Sequence, residues 1–229
     1  MGVLRYRKND PQQFIAALIY ATIVQSTGEC LVLLATPTIT AAGVLRSILE
    51  SFADLCAIAM DPQYGQRMLA TFAYRKQKHF ENMIAEPANA FHSSLAPHID
   101  PPTRLIEVKA ELKKLKDAGY ERLEPWQRFK AAGLVELYQG LYWQLSLKSH
   151  NTIAALEMRH VVNQGSDYSL TPCQANGVME LVTYFDPLVT ILLDSSLKIH
   201  NLLSSDKASK YVETMDQYRA FRSTLGTGP

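Results

Sequence analysis

The sequence has little of what a metal or cofactor site requires. Its 229 residues include only three cysteines, Cys30, Cys56 and Cys173, which are far apart and form no CxxC pair. Zinc sites need clustered Cys and His ligands, and small disulfide scaffolds need more cysteines. The chain also has no GxGxxG or Walker loop and no GxSxG turn around a nucleophile. We therefore expect no cofactor, no metal, and buried thiols in a reducing compartment.

One pair of residues has the spacing of metal ligands. Glu157 and His160 stand three residues apart, which places both on one face of a helix. Di-iron bundles need two such pairs and two further glutamates, and this sequence has no second Glu-x-x-His. The ligand count therefore argues against a di-iron site.

An excess of charge of either sign is also missing. Lys and Arg number 23 and Asp and Glu number 22, which leaves a net charge of +1. The chain-wide basic field of many nucleic-acid-binding proteins is therefore absent, and RNA binding would need a local patch. Arg75, Lys76 and Lys78 form one such cluster, which we predict as an RNA-backbone contact. The alternative is an ordinary solvated helix face, diluted by Glu81.

A secretory segment is not visible at the N-terminus. The apolar run from Phe14 to Leu34 is long enough to suggest a membrane span, but the polar stretch 25–29 interrupts its middle. Polar and charged side chains are costly at that depth in a bilayer. We therefore predict a buried core helix, no membrane contact and a cytoplasmic location.

Clear helix punctuation is what the sequence does have. Asp or Thr stands directly before proline at positions 10, 61, 100 and 171. A capping side chain before proline is typical of a helix start. Together with the helical spacing of apolar residues, these signals predict helices over 11–35, 39–60, 62–85, 101–118, 125–160, 172–200 and 205–223, and the 125–160 helix could break near residue 150.

The predicted fold class is therefore all-α, a bundle of about seven helices. We predict one domain over 1–229, with its core in 11–200 and a C-terminal helix and tail in 201–229. The proline-rich stretch 86–102 and the shorter stretch 163–171 are predicted as loops, the first of them a functional or mobile one.

A polar ladder beside an apolar stripe is the main candidate site. Tyr142, Ser146 and His150 follow one another at four-residue steps, which drift by about 40° each around a helix. Arg46 and Glu50 lie one turn apart on the 39–60 helix. If these helices are neighbours, His150 could move a proton while Arg46 binds a phosphate, which would support metal-free phosphodiester cleavage. The alternative is a structural network of ion pairs.

The same residues carry a family resemblance that covers roughly 14–155. The segment from Arg46 to Glu50, with Asp54 and the Asp-Pro pair at 61–62, resembles the early RxxxE motif of an uncharacterised family of microbial helical proteins. The segment from Tyr142 through Ser146 to His150 resembles that family's late motif, an aromatic followed by SxxxH. The stretches 74–76 and 126–137 are similar as well.

That family is similar in outline to the HEPN superfamily of helical bundles. The resemblance implies a HEPN-like core with peripheral helices, metal-independent ribonuclease activity in a toxin or defence system, a homodimer, and a partner such as an antitoxin. HEPN ribonucleases use an Arg-x₄₋₆-His motif, and this sequence has no arginine at those spacings before His150. The catalytic arginine would then be Arg46, supplied from another helix.

Two hypotheses follow from the sequence. In the first, the chain is a HEPN-like ribonuclease whose catalytic residues are Arg46, Glu50, Ser146 and His150. In the second, it is a non-catalytic, dimerising scaffold or sensor in which the same ladder is a buried structural network. Whether the chain is an enzyme stays open at this point.

Overall fold

The computed structural model describes residues 6–7, 9–35, 40–150, 153–164, 167–171 and 178–225. The predicted all-α class is confirmed. The helices are α1 (Pro11–Leu34), α2 (Thr40–Met60), α3 (Tyr64–Ala85), α4 (Ala90–Ile99), α5 (Pro101–Asp117), α6 (Pro125–Ala131), α7 (Val135–Leu137), α8 (Trp143–Ser149), α9 (Ile153–His160), α10 (Val178–Leu202) and α11 (Ala208–Leu225). A five-residue π-helical turn, Tyr138–Tyr142, joins α7 to α8.

The chain forms two compact units. One contains Met1–Met60 and Arg128–Pro229, and the other contains Asp61–Gln127. In the larger unit α1 packs against α2 and α10, α2 also packs against α8, and α11 packs on α10. In the smaller unit α3 packs against α5 around Ala70, Ala73, Val108 and Leu112. The single-domain organisation stays a prediction.

Helix α1 begins where the sequence predicts. The Asp10 carboxylate accepts a hydrogen bond from the Gln13 amide at 3.0 Å, and Pro11 occupies the first helical position. The helix buries Ala16, Ile23 and Cys30. By length and composition α1 is the one helix in the described residues that could cross a membrane, with a mean hydropathy of 1.5 over 18 residues, of which 33% are buried.

The predicted loop over 86–102 is wrong, because it contains α4. Asn89 caps this helix by accepting from the Phe91 amide at 3.0 Å. Asp100 is both the C-cap of α4 and the N-cap of α5, and its backbone is left-handed, with a φ of 42°. Its side chain makes no capping bond, contrary to the Asp-Pro pattern, because a single residue has to reverse the chain between two helices. Pro101 still begins α5.

The predicted helix over 125–160 is interrupted at Gly133 and, as the sequence allowed, near residue 150, and it contains a π-helical turn between these two points. Gly133 has a φ of 69°, a left-handed conformation that glycine adopts without strain, and it separates α6 from α7. The π-helical turn follows. His150 then leaves the helix with φ −96° and ψ 155°.

The predicted loop over 163–171 contains strand residues. It contributes to an antiparallel hairpin of β1 (Val161–Gln164) and β2 (Asp167–Leu170), the two strands in the described part of the chain. The Thr171 amide donates to the His160 carbonyl at 2.8 Å and closes the hairpin. The predicted helix start at Pro172 lies outside the described residues. The predicted start at Pro62 is two residues early: Asp61 accepts from the Gln63 amide at 2.9 Å in a turn, and α3 begins at Tyr64 after Gln63, which makes no side-chain capping bond.

Candidate functional site

Helix α2 carries the acidic and basic side chains of the site along one face. Arg46, Glu50 and Asp54 follow one another at four-residue steps, so they form a row that turns slowly around the helix. Neighbouring positions on α2, including Leu45, Leu49 and Ala53, are fully buried. The row therefore lies at the edge of the core, with Asp54 deepest.

Arg46 is the centre of the contacts to α8. Its Nη2 donates to the Tyr142 hydroxyl at 3.0 Å, and its Nη1 lies 3.2 Å from His150 Nε2 and 3.5 Å from Ser149 Oγ. The guanidinium carbon lies 5.0 Å from the centroid of the Tyr142 ring. Arg46 thus holds the end of α8 against the middle of α2.

The contact with Arg46 limits how the His150 ring can be hydrogen-bonded. A guanidinium has only donors, so in a hydrogen bond between the two side chains the ring nitrogen that faces Arg46, Nε2, is the acceptor. His150 is exposed, so an incoming molecule can reach the ring from solvent.

Tyr142 links the two charges of α2. Its hydroxyl donates to Glu50 Oε1 at 2.9 Å while it accepts from Arg46. Burial raises the pKa of Tyr142, the hydrogen bond from Arg46 acts in the opposite direction, and Glu50 adds to the rise. The ring is packed between aromatic neighbours, 5.0 Å from both Phe129 and Tyr138 between centroids. Tyr142 ends the π-helical turn, and single π-helical turns are frequent at functional sites.

Arg128 completes the network, and sequence analysis missed it. From α6 it donates to Glu50 Oε2 and to Asp54 Oδ1, each at 2.8 Å, and it also pairs with Asp54 Oδ2. The available signal was the row on α2, where two carboxylates follow a single arginine. A second cation had to come from another element, but spacing along α2 cannot say which.

The charges of the network balance. The guanidiniums of Arg46 and Arg128 face the carboxylates of Glu50 and Asp54. Glu50 is bonded on both oxygens and is thereby a positioning group for Arg46 and Tyr142. Arg46 Nε is buried, has no hydrogen-bond partner among the described residues, and lies 3.6 Å from Glu50 Oε1.

The structure brings together three of the four predicted catalytic residues, Arg46, Glu50 and His150. Ser146 does not join them in the described part of the chain; its carbonyl accepts from Ser149 Oγ at 3.1 Å. Ser149 meets Arg46 instead. Ser149 lies seven residues after Tyr142, a step that brings a helical side chain back to within roughly 20° of its starting direction. Ser146 lies four residues after Tyr142, a step that misses this direction by about 40°. Ser149 therefore points more nearly toward Arg46.

The predicted RNA-binding cluster lies in the smaller unit and is divided around α3. Lys76 Nζ lies 4.4 Å from the centroid of the Phe72 ring, whereas Lys78 Nζ pairs with Glu81 at 3.0 Å. The hydrogen bond from Gln77, followed by that from Lys78, lowers the pKa of Glu81 to about 2. Arg75 is exposed. Its role in RNA binding, with that of both lysines, stays a prediction.

A metal site has no candidate in the described ranges, where no three His, Cys, Asp or Glu side chains cluster suitably. His160, the partner of Glu157 in the Glu-x-x-His pair, has its Nδ1 3.0 Å from the Thr171 carbonyl. That contact ties the end of α9 to the end of the hairpin.

Comparison with known families shows which one the chain belongs to. The model of DUF5677, a family of unknown function, matches residues 13–168, so the chain belongs to that family. The predicted membership in an uncharacterised family is thereby confirmed. No match was found among the curated proteins or among the solved structures.

Proposed function

We propose that this member of DUF5677 is a ribonuclease that cleaves phosphodiester bonds without a metal, in the manner of the HEPN enzymes. The observation that supports the proposal most is the 3.2 Å contact between Arg46 Nη1 and His150 Nε2. In this contact a guanidinium, which could bind a phosphate, lies beside an exposed imidazole. These are the two groups that RNA cleavage by the 2′-hydroxyl needs.

In the proposed reaction the substrate phosphate takes over the donors of Arg46. A guanidinium binds two phosphate oxygens through parallel hydrogen bonds, which are stronger than a bond to a neutral imidazole. This exchange frees the His150 Nε2 lone pair. His150 then accepts the proton of the 2′-hydroxyl, the 2′-oxygen attacks phosphorus, and the bond to the 5′-oxygen breaks. The products are a 2′,3′-cyclic phosphate and a 5′-hydroxyl, whose proton comes from solvent.

The rest of the network positions Arg46. Glu50 and Tyr142 hold the guanidinium from one side, and Arg128 holds Glu50 from the other. A donor that is already oriented stabilises the charge that develops on the phosphate without further rearrangement. Arg46 and His150 are the proposed catalytic residues, and Glu50, Tyr142 and Arg128 are positioning residues.

The test is cleavage of a labelled RNA by the purified protein in the presence of EDTA. We expect His150→Ala to lower the rate by about 10²- to 10⁴-fold, the usual contribution of general acid–base catalysis, and to leave the melting temperature nearly unchanged. His98→Ala is the matched control, because His98 is exposed at the end of α4. Cleavage that disappears in EDTA, or equal activity of the two variants, would contradict the proposal.

The second candidate is the non-catalytic scaffold. It is supported by the matched charges of the network, in which two arginines pair with two carboxylates without a ligand. It is further supported by exposed apolar side chains on α9 and the hairpin, Ile153 and Leu170, which suit a homodimer or a partner protein such as an antitoxin. Absence of RNA cleavage together with a dimeric mass by light scattering would favour this reading.

A further inference from the structure

The outward face of α8 carries two exposed apolar side chains. Trp143 is 58% exposed and Leu147, one turn later, is 41% exposed. Seven residues after Trp143, His150 returns to within roughly 20° of the same direction. The adjacent face of α8, about 100° away and carrying Tyr142 and Ser149, contacts Arg46. His150 thus stands at the border between the ionic network and an exposed aromatic surface.

The stretch of chain that carries this face has no acidic side chain. The twenty residues from 137 to 156 contain no aspartate and no glutamate. The one lysine among them, Lys148, donates to the Tyr184 hydroxyl at 3.1 Å. An extended anionic chain could therefore cross α8 without meeting a carboxylate from residues 137–156.

We propose that Trp143 stacks an unpaired base, so that the substrate of this site is single-stranded RNA. The inference rests on the proposed function, because it takes the scissile phosphate to lie at Arg46 and His150. Unpaired bases commonly stack on exposed aromatic side chains, whereas paired bases inside a duplex do not offer their faces. Seven residues of helix rise by roughly 10 Å, about the length of three stacked nucleotides at ~3.4 Å each.

The two tryptophans of the chain, Trp126 and Trp143, allow a direct test. In a Trp126→Phe variant, Trp143 is the sole tryptophan, and stacking should quench its fluorescence. The probe is a ten-nucleotide 2′-O-methyl oligouridylate, which binds but cannot be cleaved because its 2′-oxygen is blocked. We expect strong quenching by this strand and weak quenching by a 2′-O-methyl duplex of equal length. In the matched Trp143→Phe variant, the remaining Trp126 should respond little.

The affinity changes make the test quantitative. Base–aromatic stacking contributes about 1–3 kcal/mol, so Trp143→Ala should weaken binding of the probe by about 5- to 150-fold. Trp143→Phe keeps an aromatic face and should lose only a few-fold. An affinity that does not change in Trp143→Ala, or equal quenching by strand and duplex, overturns the inference.

The outcome separates this inference from the proposed function. If the probe binds and quenches as expected but natural RNA is not cleaved, the ribonuclease proposal fails while single-strand binding stands. If RNA is cleaved and Trp143→Ala cleaves it with unchanged KM, the stacking inference fails alone. A third outcome would assign this face to a second copy of the chain and overturn the inference. In it, the emission of Trp143 shifts when the protein is diluted without RNA, and Trp143→Ala lowers the molecular mass of the protein in solution.

Discussion

Replacing Arg128 with leucine removes a side chain that joins both carboxylates of α2. Arg128 keeps 15% of its side chain exposed and Asp54 keeps 9%, so the substitution leaves a nearly buried carboxylate without its cation. Breaking such a pair costs about 3–5 kcal/mol. Glu50 is 27% exposed and can regain water, so we expect the lower end, about 3 kcal/mol.

Thermal and urea denaturation measure this loss. For a chain of this size, a loss of about 3 kcal/mol lowers the melting temperature by about 6–12 °C. Arg219→Leu is the matched control, because its ion pair with Asp216 at 3.4 Å is largely exposed. Such pairs contribute between about 0 and 1 kcal/mol, so the control should remain close to the wild type.

A double-mutant cycle with Asp54→Asn tests the reasoning itself. If the cost of Arg128→Leu comes from an uncompensated carboxylate, the double variant should be more stable than the sum of the single losses allows, by about 1 kcal/mol or more. Strictly additive losses, or an Arg128→Leu variant within about 0.5 kcal/mol of the wild type, would refute the assignment of Arg128 as the ionic link to Asp54.

Two further predictions concern groups with raised pKa values. Burial raises the pKa of Cys30 to about 11 and the pKa of Cys56 to about 12. We therefore expect neither thiol to react with a disulfide reagent at pH 8 until the chain unfolds. Peptide mass spectrometry of the treated protein would measure this. Burial, and after it the contact with Asp186, raises the pKa of Tyr218 to about 12. The stability that the protonated hydroxyl contributes is complete below the unfolded pKa near 10 and is lost as the pH rises through 12. Ultraviolet titration of the wild type against Tyr218→Phe would detect the raised pKa.

Local patterns predicted the beginnings and faces of the long helices. Asp10 caps α1 as its sequence implies, because a capping bond involves residues only three positions apart. The same rule failed at Asp100, where two adjacent helices compete for one residue and the backbone turns left-handed. Propensity describes each helix alone, and here the connection between helices decided the conformation.

The candidate site was predictable in its members more than in its geometry. Arg46, Glu50 and His150 could be chosen because they lie beside apolar stripes at helical spacing. Ser149 and Arg128 could not, since the first depends on the exact winding of α8 and the second on which helix packs beside α2. These are tertiary facts, and spacing along one helix does not contain them.

The π-helical turn from Tyr138 to Tyr142 sets the directions in which the side chains of α8 point around the helix axis. A π turn accommodates one residue more than an α turn, so α8 is rotated by about 100° from the direction that continuous α winding would give it. Because of that surplus residue, Tyr142 points to Arg46 and Trp143 points to solvent. Deleting one residue at Gly140 would let the turn close as an α turn and keep the rotational position of α8, whereas α winding of the full-length turn would rotate Tyr142 and Trp143 by about 100°. The contact between Arg46 and His150 therefore depends on the winding of the turn before α8 as well as on the identities of the two side chains.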